Sequence, residues 1–251
     1  MGVDIEQESC MIHYHGTPIS GPRQDTARFL AGRHALVPFP RQDDMGVVAE
    51  FCHSFVFDNG AFTVWKQGGK LDIPGYLKWC EVWHRHPGFD WALIPDVIDG
   101  TVEDNDALIA EWPSAIRGVP VWHMHEPLDR LMILADKWPT VALGSSGEWA
   151  TPGTKEWWVR MSDALVAVCD SSGRPVCRLH GLRMLNPKVF TKMPLASADS
   201  TNAAVNCNSS QWDKAIYKPA SAWQRATIIA DRVESFNSAP LFETRYPDWL
   251  K

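Results

Sequence analysis

The sequence predicts an α/β fold, a single (β/α)8 barrel of TIM type with an extra C-terminal helix, on three observations. Short apolar stretches rich in β-branched and aromatic residues alternate with helical patterns roughly every 25 residues, and eight such stretches occur. Most of them end in polar or ionisable residues, as strands do when they deliver chemical groups to the carboxyl end of a barrel. The first strand is not followed by the G-x-G-x-x-G loop of a doubly wound dinucleotide-binding sheet. With 251 residues, 45% of them hydrophobic, the chain can bury one large core. No Pro/Ser-rich linker divides it, so one domain is expected: a barrel over about residues 11–210 and a helical extension over about 211–251.

The first strand is read at Met11-Ile12-His13-Tyr14-His15, stopped by a Gly16-Thr17-Pro18 turn. A helix from Arg23 to Ala31 follows, with Ala27, Phe29 and Leu30 as its apolar side; His34 to Phe39 is the second strand and Met45 to Phe51 the next helix. Ser54-Phe55-Val56-Phe57-Asp58 is the third strand, running into an Asn59-Gly60 turn. Tyr76 to His84 is helical, with Leu77, Cys80, Val82 and Trp83 on its buried side. Phe89 to Asp96 is a strand, Asp104 to Trp112 a helix, Val119 to Glu126 a strand and Leu128 to Asp136 a helix. Val141 to Glu148 begins as the sixth strand and ends in a Gly/Ser turn; Lys155 to Cys169 is strongly helical. Val176 to Gly181, a short helix at Pro187 to Thr191, and Leu195 to Ser200 supply the last two strands. A helix beginning at Asn202 to Cys207 and one from Ala220 to Phe236, outside the repeat, complete the chain.

Charged residues are 22% and the net charge is −6, so no overall basic signature marks a nucleic-acid binder. A local basic rim remains compatible, from Arg183, Lys188, Lys192, Lys214 and Lys218. Six cysteines without a C-x-x-C pair argue against a zinc ribbon or iron–sulfur site and fit reduced thiols. The start, Met1 to Glu6, has neither a basic nor an apolar region, and no run reaches the ~20 apolar residues of a membrane span. A cytoplasmic protein without membrane contact is expected. Thirteen Trp suggest much flat amphipathic surface around a core or cleft.

In a barrel the strand ends converge on one face. Here they would bring together His13, His15, Asp58, Asp96, His123, His125, Glu126, Ser145, Glu148, His180 and Asp199. Two of these have bland alternatives: Asp58-Asn59-Gly60 as a solvated turn, and Asp199, ahead of Ser200-Thr201-Asn202, as a helix N-cap.

The order of motifs resembles the tRNA-guanine transglycosylases and their phage and prophage relatives that insert 7-deazaguanine bases into DNA. Phe57-Asp58-Asn59-Gly60-Ala61-Phe62 is similar to that family's D-S-G-G-F element, and Asp96 stands where it carries a base-recognising acid. Ala142 to Glu148 is similar to its Gly-rich, glutamate-ended loop, and Ser197-Ala198-Asp199-Ser200 to the element bearing its nucleophilic aspartate. The resemblance implies Asp199 as nucleophile and Asp58 as acid/base. It implies Asn59, Phe62, Asp96, His123, His125, Gly144, Ser145, Glu148 and His180 as contacts to a guanine or 7-deazaguanine base; with the family's zinc motif not found here, neither cofactor nor metal is expected. The family's zinc subdomain (Cys-x-Cys-x-x-Cys with a later His) and its basic insertions for tRNA are missing here, which directs the expectation to DNA or a smaller nucleoside rather than tRNA.

A rival reading is a metal-dependent hydrolase. His13-Tyr14-His15 puts two imidazoles on one side of a strand, and with His180 and Asp199 this resembles the amidohydrolase layout, in which zinc-bound hydroxide attacks. Asp96 stands where that family has a bridging Lys or Glu, and the sixth strand offers no His. A third reading is a catalytically inert barrel that binds a nucleobase.

Overall fold

A computed structural model describes residues 10–17 and 19–243. Pro18 of the expected turn, the Met1 to Glu6 start and the end of the extension beyond residue 243 lie outside the described residues.

The strands are β1 (Ile12–Gly16), β2 (His34–Pro38), β3 (Ser54–Asp58), β4 (Phe89–Leu93), β5 (Gly118–Val119), β6 (Val121–His123), β7 (Thr140–Gly144), β8 (Arg178–Gly181) and β9 (Ser197–Ser200). The helices are α1 (Arg23–Leu30), α2 (Met45–Phe51), α3 (Ala61–Lys66), α4 (Ile73–Trp83), α5 (Val102–Ala110), α6 (Leu128–Lys137), α7 (Lys155–Val168), α8 (Pro187–Phe190), α9 (Asn202–Asn206) and α10 (Ala222–Glu234). All strand pairings are parallel, in the order β5-β4-β3-β2-β1-β9-β8-β7-β6. The two outermost strands, β5 and β6, are consecutive in the chain and separated only by Pro120, so the sheet curls round into a barrel of eight staves. Pro120 has no N–H to give the ladder. Its carbonyl accepts from Ala142 N–H (2.9 Å), while the Val119 carbonyl accepts from Ile94 N–H (3.0 Å) on the other flank.

Alternation along the strands sorts the side chains. In β3, Phe55 and Phe57 turn outward, where the Trp79 ring stacks 3.7 Å from that of Phe57, and Val56 turns inward against Tyr14 and Leu36. Leu93, Val119, Val121 and Ala142 fill the next part of the interior. The register between β3 and β4 shifts by one residue, with Phe55 opposite Phe89 and Val56 opposite Trp91. That bulge lets Asp90 enter the barrel floor beside Trp91, where its Oδ2 accepts from Tyr14 Oη (2.7 Å) and from Ser54 Oγ. Burial and the Asp90 charge hold the Tyr14 phenol well above its ordinary pKa.

The helical shell packs on the outward faces in two large clusters, one around Trp122, Trp157 and Phe190, the other around Phe29, Phe57 and Tyr76. The C-terminal helix expected at Ala220 to Phe236 forms as α10 and lies along α1 and α9; Ala226 and Ala230 join the core that holds Phe29 and Leu30. Its end is level with β1: Glu234 meets His15, Phe236 meets His13 and Asn237 meets Met11. Ala222 therefore stands about 18 Å further toward the carboxyl ends of the strands. The loop before it is pinned by the buried Arg225, which donates to the carbonyls of Cys207, Pro219 and Ala220 and to Asn208 Oδ1. Among the described residues no helix is long and apolar enough to cross a membrane.

Candidate active site

The carboxyl ends of β3, β4, β7, β8 and β9 bring Asp58, Asp96, Ser145, His180, Arg183 and Asp199 to one mouth. Asp58 closes β3 on its inward side, and its Oδ1 accepts from Gly60 N–H (2.9 Å). Gly60 has a φ of +79°, and a Cβ there would lie 2.8 Å from Pro40 Cδ, so this turn needs glycine twice over. Burial pushes the Asp58 carboxyl up to about 7; the Gly60 N–H opposes, the charges of Asp199 and Asp96 add to the push, and Arg183 opposes again.

Asp199 sits at the end of β9, buried, and does not cap a helix: Thr201 holds the N-cap position of α9 and Ser200 Oγ accepts from Asn202 N–H. Its Oδ1 accepts from Arg183 N–H (2.9 Å) and lies 3.3 Å from His180 Nε2. Its Oδ2 carries no hydrogen bond among the described residues. His180 is fully buried, its Nδ1 2.8 Å from Ser197 Oγ and its ring edge-on to Tyr14 and Trp91. Arg183 is a residue that sequence reading placed only on a basic rim. It has a φ of +58°, donates from Nη2 to the Ser145 carbonyl (3.1 Å) and lays its guanidinium 4.0 Å from the centre of the exposed Phe62 ring. Backbone and side chain together tie three loops across the mouth.

Beside this group runs a buried chain of charges. Asn59 Nδ2 donates to the Ile94 carbonyl (3.1 Å) and to Asp96 Oδ1 (2.8 Å), while its Oδ1 accepts from Ala61 N–H. Asp96 Oδ2 is 2.9 Å from His123 Nε2. Glu126 Oε2 accepts from His123 N–H and from Arg130 Nη1, both at 2.8 Å, and Arg130 reaches on to Asp106. His123 Nδ1 lies 3.6 Å from Glu126 Oε1, an electrostatic contact rather than a hydrogen bond. Burial alone would lower the His123 imidazole, but the Asp96 and Glu126 carboxylates more than reverse this and raise it to about 9. Gly144 packs closely on β6, since a Cβ there would come within 3.2 Å of Val121 Cγ1 and 3.4 Å of His123 Cδ2. Arg130, absent from the expected site, was legible as the i+4 partner of Glu126 across the start of α6.

The remaining expected residues are placed as follows. His125 is exposed, stacked on His123 and 2.8 Å from Ser146 Oγ. Ser145 Oγ accepts from Trp157 Nε1 (2.9 Å), which uses it in packing α7. Glu148 is exposed on the short turn Gly147–Trp149. His13 and His15 do not reach the mouth. They flank the inward-facing Tyr14 and so point outward, His13 Nε2 3.1 Å from the Phe236 carbonyl and His15 Nε2 2.7 Å from Glu234. The expected set of His13, His15, His180 and Asp199 is thus split between two sides of the sheet. Among the described residues no three His, Cys, Asp or Glu side chains are grouped so as to hold a metal ion.

No family model matches the sequence, and no curated protein matches it. Among solved structures, a mutant tryptophan synthase α-subunit from Pyrococcus furiosus superposes with a TM-score of 0.50 at 13% identity, over 91% of this chain and 98% of that one. A protein from Coccidioides immitis, provisionally described as a fructose-1,6-biphosphate aldolase, superposes at 0.48 with 12% identity over 90% of each chain. The first likeness supports the barrel fold and nothing finer; the second adds no argument.

Proposed function

We propose that this barrel is a base-exchange transglycosylase working through two carboxylates, with Asp199 as nucleophile and Asp58 as acid/base. The observation that carries the reading is that the two carboxyls share one mouth in different surroundings. Asp58 is pushed up to about 7 by burial, so it can hold a proton near neutrality. Asp199 has Oδ1 occupied by the Arg183 N–H and faced by His180, which leaves Oδ2 to attack.

In the first half-reaction Asp199 Oδ2 forms a bond to the sugar C1′ as the bond to the departing base breaks. Protonated Asp58 gives its proton to the leaving ring nitrogen. In the second half the incoming base surrenders its N–H proton to the Asp58 carboxylate, attacks C1′ and releases Asp199. One proton leaves Asp58 and one returns, so the enzyme ends as it began. Asn59 and His123 orient Asp96, whose oxygens retain further lone pairs for the N–H edge of a base. The motif resemblance names the substrate as guanine or 7-deazaguanine in DNA.

The test is mass spectrometry of the intact protein incubated with a guanine-containing DNA oligonucleotide, together with incorporation of labelled guanine and 7-deazaguanine. Wild type should carry a covalent nucleotide adduct and exchange base. Asp199→Asn should do neither while keeping its melting temperature. A wild type that binds base without exchanging it would make this an inert base-binding barrel. Activity abolished by chelation would revive the metal hydrolase.

A further inference from the structure

A cavity of about 1520 Å³ lies at the opposite end of the barrel from the carboxylates, where β4, β5, β7 and β8 begin. Trp112 and Trp138 contribute to its walls, and among the described residues its charged groups are Arg117, Arg174 and Arg178 against a single carboxylate, Asp90. That carboxylate already accepts from Tyr14 Oη and Ser54 Oγ. Arg117 donates to the Phe89 carbonyl and lies over the Phe89 ring. Neither Arg174 nor Arg178 makes an ion pair or side-chain hydrogen bond among the described residues. Asp170, the acid nearest Arg174 in sequence, spends its Oδ1 on Ser172 N–H, Ser172 Oγ and Arg174 N–H. The wall is also preformed. Trp112 Nε1 donates to the Ile116 carbonyl (2.9 Å), and the indole sits so close that a Cβ on Gly118 would be 2.4 Å from Nε1.

We propose that this basal cavity is a second binding site, for an amphipathic organic anion: an aromatic or alkyl body carrying a carboxylate, sulfonate or phosphate. Guanidinium groups that make no ion pair among the described residues favour such heads, although Arg174 also feels the charge of the exposed Asp170, and an apolar, aromatic wall favours the body. The cavity exceeds the roughly 300–1,000 Å³ of most small-molecule sites, which leaves room for a ligand of nucleotide or fatty-acid size with its waters. The inference does not rest on the chemistry assigned to the other mouth.

The probe is 8-anilinonaphthalene-1-sulfonate, titrated at low salt against the full chain and compared with the uncharged N-phenyl-1-naphthylamine. The sulfonate should saturate at one site, with energy transfer from tryptophan. The double variant Arg174→Glu/Arg178→Glu should weaken it at least about tenfold and leave the neutral dye within about twofold. Both side chains are exposed, so the variant should melt with wild type; should it not, Arg178→Gln alone reads the same contrast at about threefold or more. Arg183→Glu, at the far mouth, should leave sulfonate binding unchanged. Non-saturable binding, equal loss of both dyes, or an equal effect of Arg183→Glu would overturn the proposal.

Discussion

A carboxyl held at about 7 works against the fold once it ionises. Asp58 has a folded pKa raised above the ordinary aspartate value, so its contribution to stability is full below about pH 4 and is lost as pH rises through 7. Asp58→Asn should therefore stabilise the protein at pH 8, by about 1–3 kcal/mol after allowance for its partial exposure, with the gain vanishing toward pH 4. Thermal melts of both proteins across that range check it, and a destabilised variant at pH 8 would refute the burial account. The same variant should lose base exchange, since it can neither give nor take the proton. Asp58 and Asp199 were legible in the sequence because each ends an apolar strand. The inward or outward choice for His13 and His15 was not. Strands of a parallel barrel are buried on both faces, so Met11 to His15 offers no polar side to show which parity faces the interior.

Single elements also departed from what periodicity suggested, each for a local reason. The helix α3 was missed because Phe62, Thr63, Trp65 and Lys66 are all exposed, leaving no apolar stripe to read. The strand expected to reach Glu126 ends at His123, where Glu126 N–H turns back onto the His123 carbonyl (2.8 Å). That turn is what carries Glu126 beneath the imidazole. Because the His123 pKa is raised above the usual histidine value, its stabilisation is fully present below about pH 6.5 and is lost as pH rises through 9. Wild type should thus lose stability between those limits, and His123→Gln, less stable at pH 6, should show a flatter profile by urea denaturation. An unchanged slope would mean that the Asp96–His123–Glu126 contacts carry no charge coupling. Arg130 belongs to the same element chain; Arg130→Met, which strands Glu126 without its partner, should cost about 3–5 kcal/mol in the same experiment.

At the scale of the molecule, all eight staves and their order round the barrel follow from the alternation of apolar strands and helices, and the break falls at a proline visible in the sequence, while the bulge at Asp90 depends on register that no local pattern encodes. The net charge of −6 leaves any DNA contact to a local rim. Lys214 and Lys218 lie on the loop that α10 raises toward the mouth, with Lys218 paired to Asp213, and Lys188 stands on α8. Binding of a single-stranded oligonucleotide should weaken with salt at a logarithmic slope of about −2 to −4, and Lys188→Glu with Lys214→Glu should make it shallower by about one. A slope near zero would leave a nucleoside or other small substrate. The break at Pro120 has a kinetic meaning. On one flank only Gly118 and Val119 pair with β4, a ladder as short as that between β8 and β9, and on the other only Val121 to His123 pair with β7, so this stave is held by short ladders on both sides. A closed ring breathes where its thinnest joint lies. Amide protons of Ala92 and Ile94, which bond to the Arg117 and Val119 carbonyls, should exchange with deuterium well before those of β2 and β3, whose shared ladder runs over five pairs.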